Sequence, residues 1–263
     1  MDAILSHESS IRLSVFLLTF GSMALWEALS PWRELQVGRV KRWPTNLLVA
    51  ALNSFVVRLI SPGAVVGFAW TVSERHWGFF NHLALPSEVA VVASVLALDG
   101  VIYAQHVLFH RLPVLWRFHR VHHADLDVDV TTGARFHPVE IVLSLLLKFG
   151  AVALLGAPPL GVLTFEILLN SSSLFNHSNV RMPVGLEKVL RFVLVTPDMH
   201  RVHHSVVVGE TNSNFGFCLA WWDRLLRTYR HAPTAGPNIV IGLPQYRDRR
   251  TATVGWLLTS PFV

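Results

Sequence analysis

SEVAVVASVLALDGVIYAQHVLFH, residues 87–110, is the stretch on which the fold turns. Residues 87–105 carry only two charges, Glu88 and Asp99, among mostly apolar and small side chains. At a helical rise of about 1.5 Å per residue such a segment is long enough to cross the hydrocarbon core of a bilayer. The same helical period puts Asp99, Tyr103, His106 and His110 on one stripe, in steps of four, three and four. An apolar span that runs out into histidines predicts a membrane bundle with a polar face gathered at one end.

The rest of the chain agrees with that reading. Of 263 residues, 52% are hydrophobic and 15% charged, with a mean hydropathy of +0.44. Soluble domains carry about 25% charged residues, so an ordinary water-soluble domain is excluded. Twenty-two Lys and Arg against 17 Asp and Glu leave +5, which in so charge-poor a chain reads as membrane orientation rather than nucleic-acid binding. The lone Cys218 excludes an intrachain disulfide and a cysteine-based metal site.

Three further apolar stretches flank the first. Residues 11–29 make one span; Met1–Ser10, with Asp2 and Glu8 and no Lys or Arg, lacks the basic start of a cleaved signal peptide, so this span is expected to stay. Residues 46–72 make another, broken at Ser61-Pro62-Gly63 and carrying Arg58, an intramembrane charge open to a functional or a snorkelling role. Residues 138–176, interrupted at Gly156-Ala157-Pro158-Pro159, read as a helical hairpin. Arg33, Arg39, Lys41 and Arg42 place the 30–45 loop in the cytoplasm. Parity then puts 106–137 and 177–250 on the same side. The expectation is one all-α domain over 1–263: a multi-pass bundle of about three spans plus a hairpin, with a cytosolic histidine-rich helical cap.

Fourteen histidines are present, five of them within 106–123 and three within 200–204, and HRVHH occurs at both 119–123 and 200–204. On helices, residues at i, i+3 and i+4 share a face. His106 with His110, His119 with His122 and His123, and His200 with His203 and His204 therefore converge, the last set on a short helix capped by Thr196 with Pro197 at its first position. Eight imidazoles exceed what one ion takes, so two metal ions are implied, and imidazole alone leaves Fe, Cu, Ni and Zn open. His177, on a stripe with Glu166, Asn170 and Ser173, is a ninth candidate. Asp99, Tyr103, Glu166 and His137 are candidates to support the ligands through hydrogen bonds, His137 being open also to a role as a ligand or as a helix-start residue. His7, His76, His82 and His231 are read as ordinary core or surface residues.

These residues resemble the fatty acid hydroxylase superfamily, the membrane group of sterol desaturases, C4-sterol methyl oxidases and alkylglycerol monooxygenase. The likeness runs over 99–229: Asp99-xxx-Tyr103-xx-His106-xxx-His110, LWRFHRVHH (115–123), RFHPVE (135–140), FNHSN (175–179), TPDMHRVHHS (196–205), NFG (214–216) and WDRL (222–225). It implies a di-iron centre held by His106, His110, His119, His122, His123, His177, His200, His203 and His204, which activates O2 to hydroxylate or desaturate a lipid. RFHPVE and NFG add Glu140 and Asn214 to the supporting residues. Without a haem-binding motif or a dinucleotide fingerprint, electrons are expected from a separate ferredoxin or cytochrome b5 type protein, and in a bacterium the site would face the cytoplasm from the inner membrane. One position departs from the pattern: Arg227 stands where the family often has Gly. The competing readings are a histidine-rich metal transporter, which would want its histidines along a crossing path, and a zinc hydrolase, which would want a His-Glu-xx-His motif that is absent.

Overall fold

The computed structural model describes residues 5–83 and 85–263, and Asp2 lies outside them. The long helices are α1 (Glu8–Leu29), α2 (Arg39–Ile60), α3 (Ala64–Glu74), α4 (Ser87–Arg111), α5 (Pro113–His123), α6 (Pro138–Leu155) and α7 (Pro159–Asn176). Short helices follow: α8 (Val184–Leu190), α9 (Pro197–His203), α10 (Val208–Thr211), α11 (Trp221–Leu225) and α12 (Val254–Thr259). Four stretches are long and apolar enough to cross a membrane: Glu8–Leu29, Arg39–His82, Ser87–Arg111 and Pro138–Leu155. Their outward faces are apolar, with Leu18 70%, Leu29 76% and Leu154 78% exposed. Lipid, not water, suits such a surface.

The breaks fall where small and rigid residues dictate. The second apolar stretch divides at 61–63 into α2 and α3. The hairpin turns at Gly156, whose φ of 71° caps α6 in the left-handed region; a side chain there would also meet the Trp77 carbonyl at 2.6 Å. Proline then starts α7, its missing N–H costing nothing in a first turn. Within the bundle α7 is central, packed on α1, α3, α4 and α9. Gly161 lets α4 come close, since a Cβ there would stand 2.9 Å from that of Ser94. Val65, Val66, Leu98, Ile102, Leu163 and Phe165 fill the shared core.

One expectation is corrected here. Residues 30–45 are not a free cationic loop, because α2 begins at Arg39 and Arg42 is completely buried. Its guanidinium grips Asp125 through Nε and NH2, both at 2.7 Å, and Asp129 through NH1 at 2.5 Å. Arg33 likewise leans on Asp127 at 3.7 Å. Desolvation explains the arrangement: a cation that packs under the cap must be matched by carboxylates.

Candidate metal centre

The nine histidines named from sequence come together in two groups. His106, His110, His119, His123 and His203 form one; His122, His177, His200 and His204 form the other, and within each group a nitrogen from every ring lies within 4.8 Å of the rest. All but His110 are buried. The rings arrive on the ends of α4, α5, α7 and α9, with the Thr196 hydroxyl accepting the Met199 N–H to start α9 as expected. His7, His76, His82 and His231 stay outside both groups.

Hydrogen bonds define which nitrogen each ring offers. His106 donates Nδ1–H to the Phe215 carbonyl at 2.7 Å, His122 to the Arg135 carbonyl at 3.1 Å, His177 to the Ser173 carbonyl at 2.7 Å and His203 to the Ser213 carbonyl at 2.8 Å. His119 donates to Glu140 Oε1 at 2.7 Å. A carbonyl only accepts, so the proton sits on Nδ1 and Nε2 is left with its lone pair. Those lone pairs face one another: Nε2 of His106 is 3.1 Å from that of His119, and Nε2 of His177 is 3.1 Å from that of His122, with Nε2 of His200 a further neighbour at 3.0 Å from His177. Two lone pairs at that distance repel unless a cation lies between them. Nitrogens about 2.1 Å from a shared ion and at right angles stand about 3.0 Å apart, so the spacing fits a metal. Nε2 of His203 and both nitrogens of His204 are buried with no hydrogen-bond partner, as a donor set for an ion would be.

Burial also keeps the rings neutral. It is the leading cause that pushes His122, His123, His200 and His204 well below the ordinary imidazole range, neighbouring imidazoles adding to it, and it takes His177 down to about 4 and His203 to about 3. The unfolded chain binds protons near pH 6.5 that the folded chain refuses, so metal-free protein loses stability as pH falls from about 6.5 toward 4. Thermal melting of chelator-treated protein in detergent checks this. A melting temperature that is flat or rising between pH 8 and pH 5 contradicts it.

The supporting residues divide. Glu140 touches the centre directly through His119, and its second oxygen is buried without a partner. Asp99 does not reach a histidine. It accepts the N–H groups of Cys218 and Leu219 and the Trp222 indole N–H at 2.9 Å. Asp223 accepts from Phe215 and Gly216, and Tyr103 joins it through the Thr228 hydroxyl. Together these hold the 215–222 loop that presents the Phe215 carbonyl to His106. Asn214 bridges the Met199 and Arg230 backbones. His137 is a helix cap: its Nδ1 accepts the Val139 N–H and its Nε2 donates to the Leu258 carbonyl. Glu166 lies between the spans, paired with Lys148 at 2.8 Å and Arg12 at 2.9 Å. At Arg227 the turn keeps a φ of 60° despite the missing glycine, a left-handed conformation costing a non-glycine residue about 1–2 kcal/mol.

Glu140→Gln is therefore expected to weaken metal binding by about tenfold or more, within the range for loss of an outer hydrogen-bond partner. Glu166→Gln should leave metal affinity unchanged. Chelator competition on both variants measures it, and equal affinities would remove Glu140 from the site.

Sequence reasoning passed over the frame beneath the histidines. Asp125, Asp127 and Asp129 alternate directly after the first HRVHH, and Asp127 takes the Gln36 and Val37 N–H groups at 3.0 and 2.9 Å. Arg135 is buried against Asn46, the Val121 carbonyl and the Thr251 carbonyl, which fixes its own carbonyl on His122. Glu27 accepts the Val130 and Asn179 N–H groups. Three alternating aspartates in a chain with 17 acidic residues were the legible signal.

A helical bundle with membrane-length apolar helices whose one end gathers nine imidazoles in two groups defines the class of membrane metalloproteins. The chain belongs to the fatty acid hydroxylase family, which it matches over residues 91–228. It is an integral membrane oxidoreductase of a family of iron-dependent oxygenases. It is 30% identical over 227 residues to ornithine lipid hydroxylase OlsE of Rhizobium tropici, covering 83% of this chain and 67% of that one. It is 30% identical over 177 residues to cholesterol 25-hydroxylase of Rattus norvegicus, covering 63% of this chain and 57% of that one. Alkylglycerol monooxygenase of Danio rerio is 28% identical over 172 residues, 64% of this chain and 36% of its own length. No solved structure matches the chain significantly.

Proposed function

We propose that the nine histidines hold two iron ions and that the protein hydroxylates a membrane lipid with O2 and external electrons. The observation that carries this is the Nε2 lone pairs of His106 and His119, and of His122 and His177, facing one another at 3.1 Å, which calls for cations between them. The names of the relatives, lipid hydroxylases and a monooxygenase, favour hydroxylation over desaturation. Iron bound to imidazoles supplies the O2 chemistry needed to oxidise an unactivated C–H bond. The chain's own part is positional. Glu140 and the carbonyls of Phe215, Arg135, Ser173 and Ser213 hold the tautomers, and burial of the rings keeps water from the reacting carbon.

Residues 1–263 act as one membrane domain, with 99–229 as the catalytic region. The histidine end faces the cytoplasm, which is where Arg33, Arg39 and Lys41 lie, and in a bacterium that membrane is the inner one. A separate ferredoxin or cytochrome b5 type protein delivers the electrons. Nothing in the geometry favours a transporter, since the histidines gather at one end of the bundle rather than along a crossing path.

Metal analysis of anaerobically reconstituted protein is expected to give about two irons per chain, because nine imidazoles exceed one ion's capacity. Lipidomics of cells with and without the gene, in air and under O2 limitation, should show a hydroxylated lipid that needs both. One ion per chain, or full activity with zinc alone, would sink the reading.

A further inference from the structure

Two charged residues inside the spans, Arg58 and Glu166, find no place at the histidines, yet they line one cavity. It holds about 450 Å³ and lies between α1, α2, α3, α6 and α7. Its polar lining includes Glu8, Arg12, Arg58, Lys148 and Glu166. Arg12 stands 3.5 Å from Glu8 and 2.9 Å from Glu166, and Lys148 stands 2.8 Å from Glu166. Three cations against two carboxylates leave the cavity with one positive charge in excess. The Arg58 side chain is exposed on the protein surface and, among the described residues, makes neither an ion pair nor a hydrogen bond. A cation at bilayer depth is costly without an anion, and a guanidinium suits a carboxylate or phosphate through paired N–H donors.

The cavity wall is joined to the metal centre through Asn53 and Phe136. Asn53 lines the cavity, donates to the Phe136 carbonyl at 2.9 Å and keeps a buried Oδ1 with no partner. The Phe136 ring is stacked on His122 with centroids 4.5 Å apart. Lys148 lies about 12 Å along α6 from Glu140, two turns and more at 1.5 Å per residue. Arg58 lies about 18 Å along α2 from Asn46, by the same rise, and Asn46 holds the Arg135 whose carbonyl caps His122.

We propose that this cavity binds the substrate lipid by an anionic headgroup, a carboxylate or a phosphate, held by Arg58 with Arg12 and Lys148 beside it. This rests on the lipid hydroxylase reading above. A headgroup held there turns the acyl chain, not the headgroup, toward the histidines.

The test uses the full iron-loaded chain in detergent without O2, so that binding is read apart from turnover. The probes are tritiated palmitic acid, its methyl ester, and hexadecyl phosphate. Palmitic acid or the phosphate is expected to bind at least about tenfold more tightly than the ester, and the better of the two identifies the headgroup. Arg58→Gln, which breaks no existing ion pair, should remove that preference and leave ester binding as it was. Ser144→Trp, which fills the cavity, should weaken all three. Equal affinity for acid, phosphate and ester in the native protein overturns the proposal, as does an Arg58→Gln protein that keeps the preference. Preferential binding with no oxidised product in air, with reduced ferredoxin or cytochrome b5 supplied as electron donor, would overturn the hydroxylase reading and leave this one standing.

Discussion

On the proposed two-iron centre, bound iron in a His200→Ala protein is expected to fall from about two ions per chain to about one, and turnover to drop by more than about 100-fold, beyond the loss that follows removal of an outer hydrogen-bond partner. His200 is one of four imidazoles in its group, and its Nε2 lies 3.0 Å from that of His177. Three nitrogens hold an ion less tightly than four. The ring makes no hydrogen bond through Nδ1, so its removal strands no partner and the protein should still fold. His82→Ala, an exposed ring away from both groups, is the control and should behave as the native protein does. Iron per folded chain, measured beside product formation, decides the matter. Two irons in His200→Ala would take His200 out of the centre.

Arg42→Met should destabilise the protein by about 3–5 kcal/mol, the cost of leaving buried carboxylates without their cation. Asp125 and Asp129 both sit on Arg42 and both are buried. For a chain of this size that corresponds to a drop of roughly 10 °C in melting temperature. Metal binding should fall with it, because the loop that Arg42 anchors also carries Arg135, whose carbonyl orients His122. Arg250→Met removes an ion pair of the same chemistry with exposed Asp248, and water already screens that pair, so no measurable change is expected. An Arg42→Met protein as stable as the native one would show that the network is incidental.

The aspartate network also marks what was hard to read in the sequence. Arg42 belongs to a run of cations that looks like a loop facing the cytoplasm, and charge counting treats all four alike. Which of them is buried depends on the 124–137 loop folding back over α2, a contact across more than 80 residues. Asp99 misled for a related reason. Its stripe does aim at the histidine end, but the 215–222 loop comes between and takes both oxygens. Glu166 shares its helix with His177 yet stands more than two turns away, at a level where Lys148 and Arg12 are the nearer charges.

Local rules carried much further. The hairpin at 156–159, the break at 61–63 and the capped α9 each follow from glycine and proline chemistry and from a single hydroxyl, and each stands where the residues put it. The sequence alone determined that the chain is a helical membrane bundle and that nine imidazoles share one end of it, because helical period and apolar length are local properties. It did not determine the partition of those imidazoles. The first HRVHH sends His119 and His123 to one group and His122 to the other; the second sends His203 to the first group and His200 and His204 to the second. A helical face is wide enough to look onto two ions at once, so the crossing of α4, α5, α7 and α9 decides which ring meets which. That crossing is set by Gly161 against Ser94, by the Arg42 network and by the loop that Asp99 and Asp223 hold, none of which spacing along the chain can express.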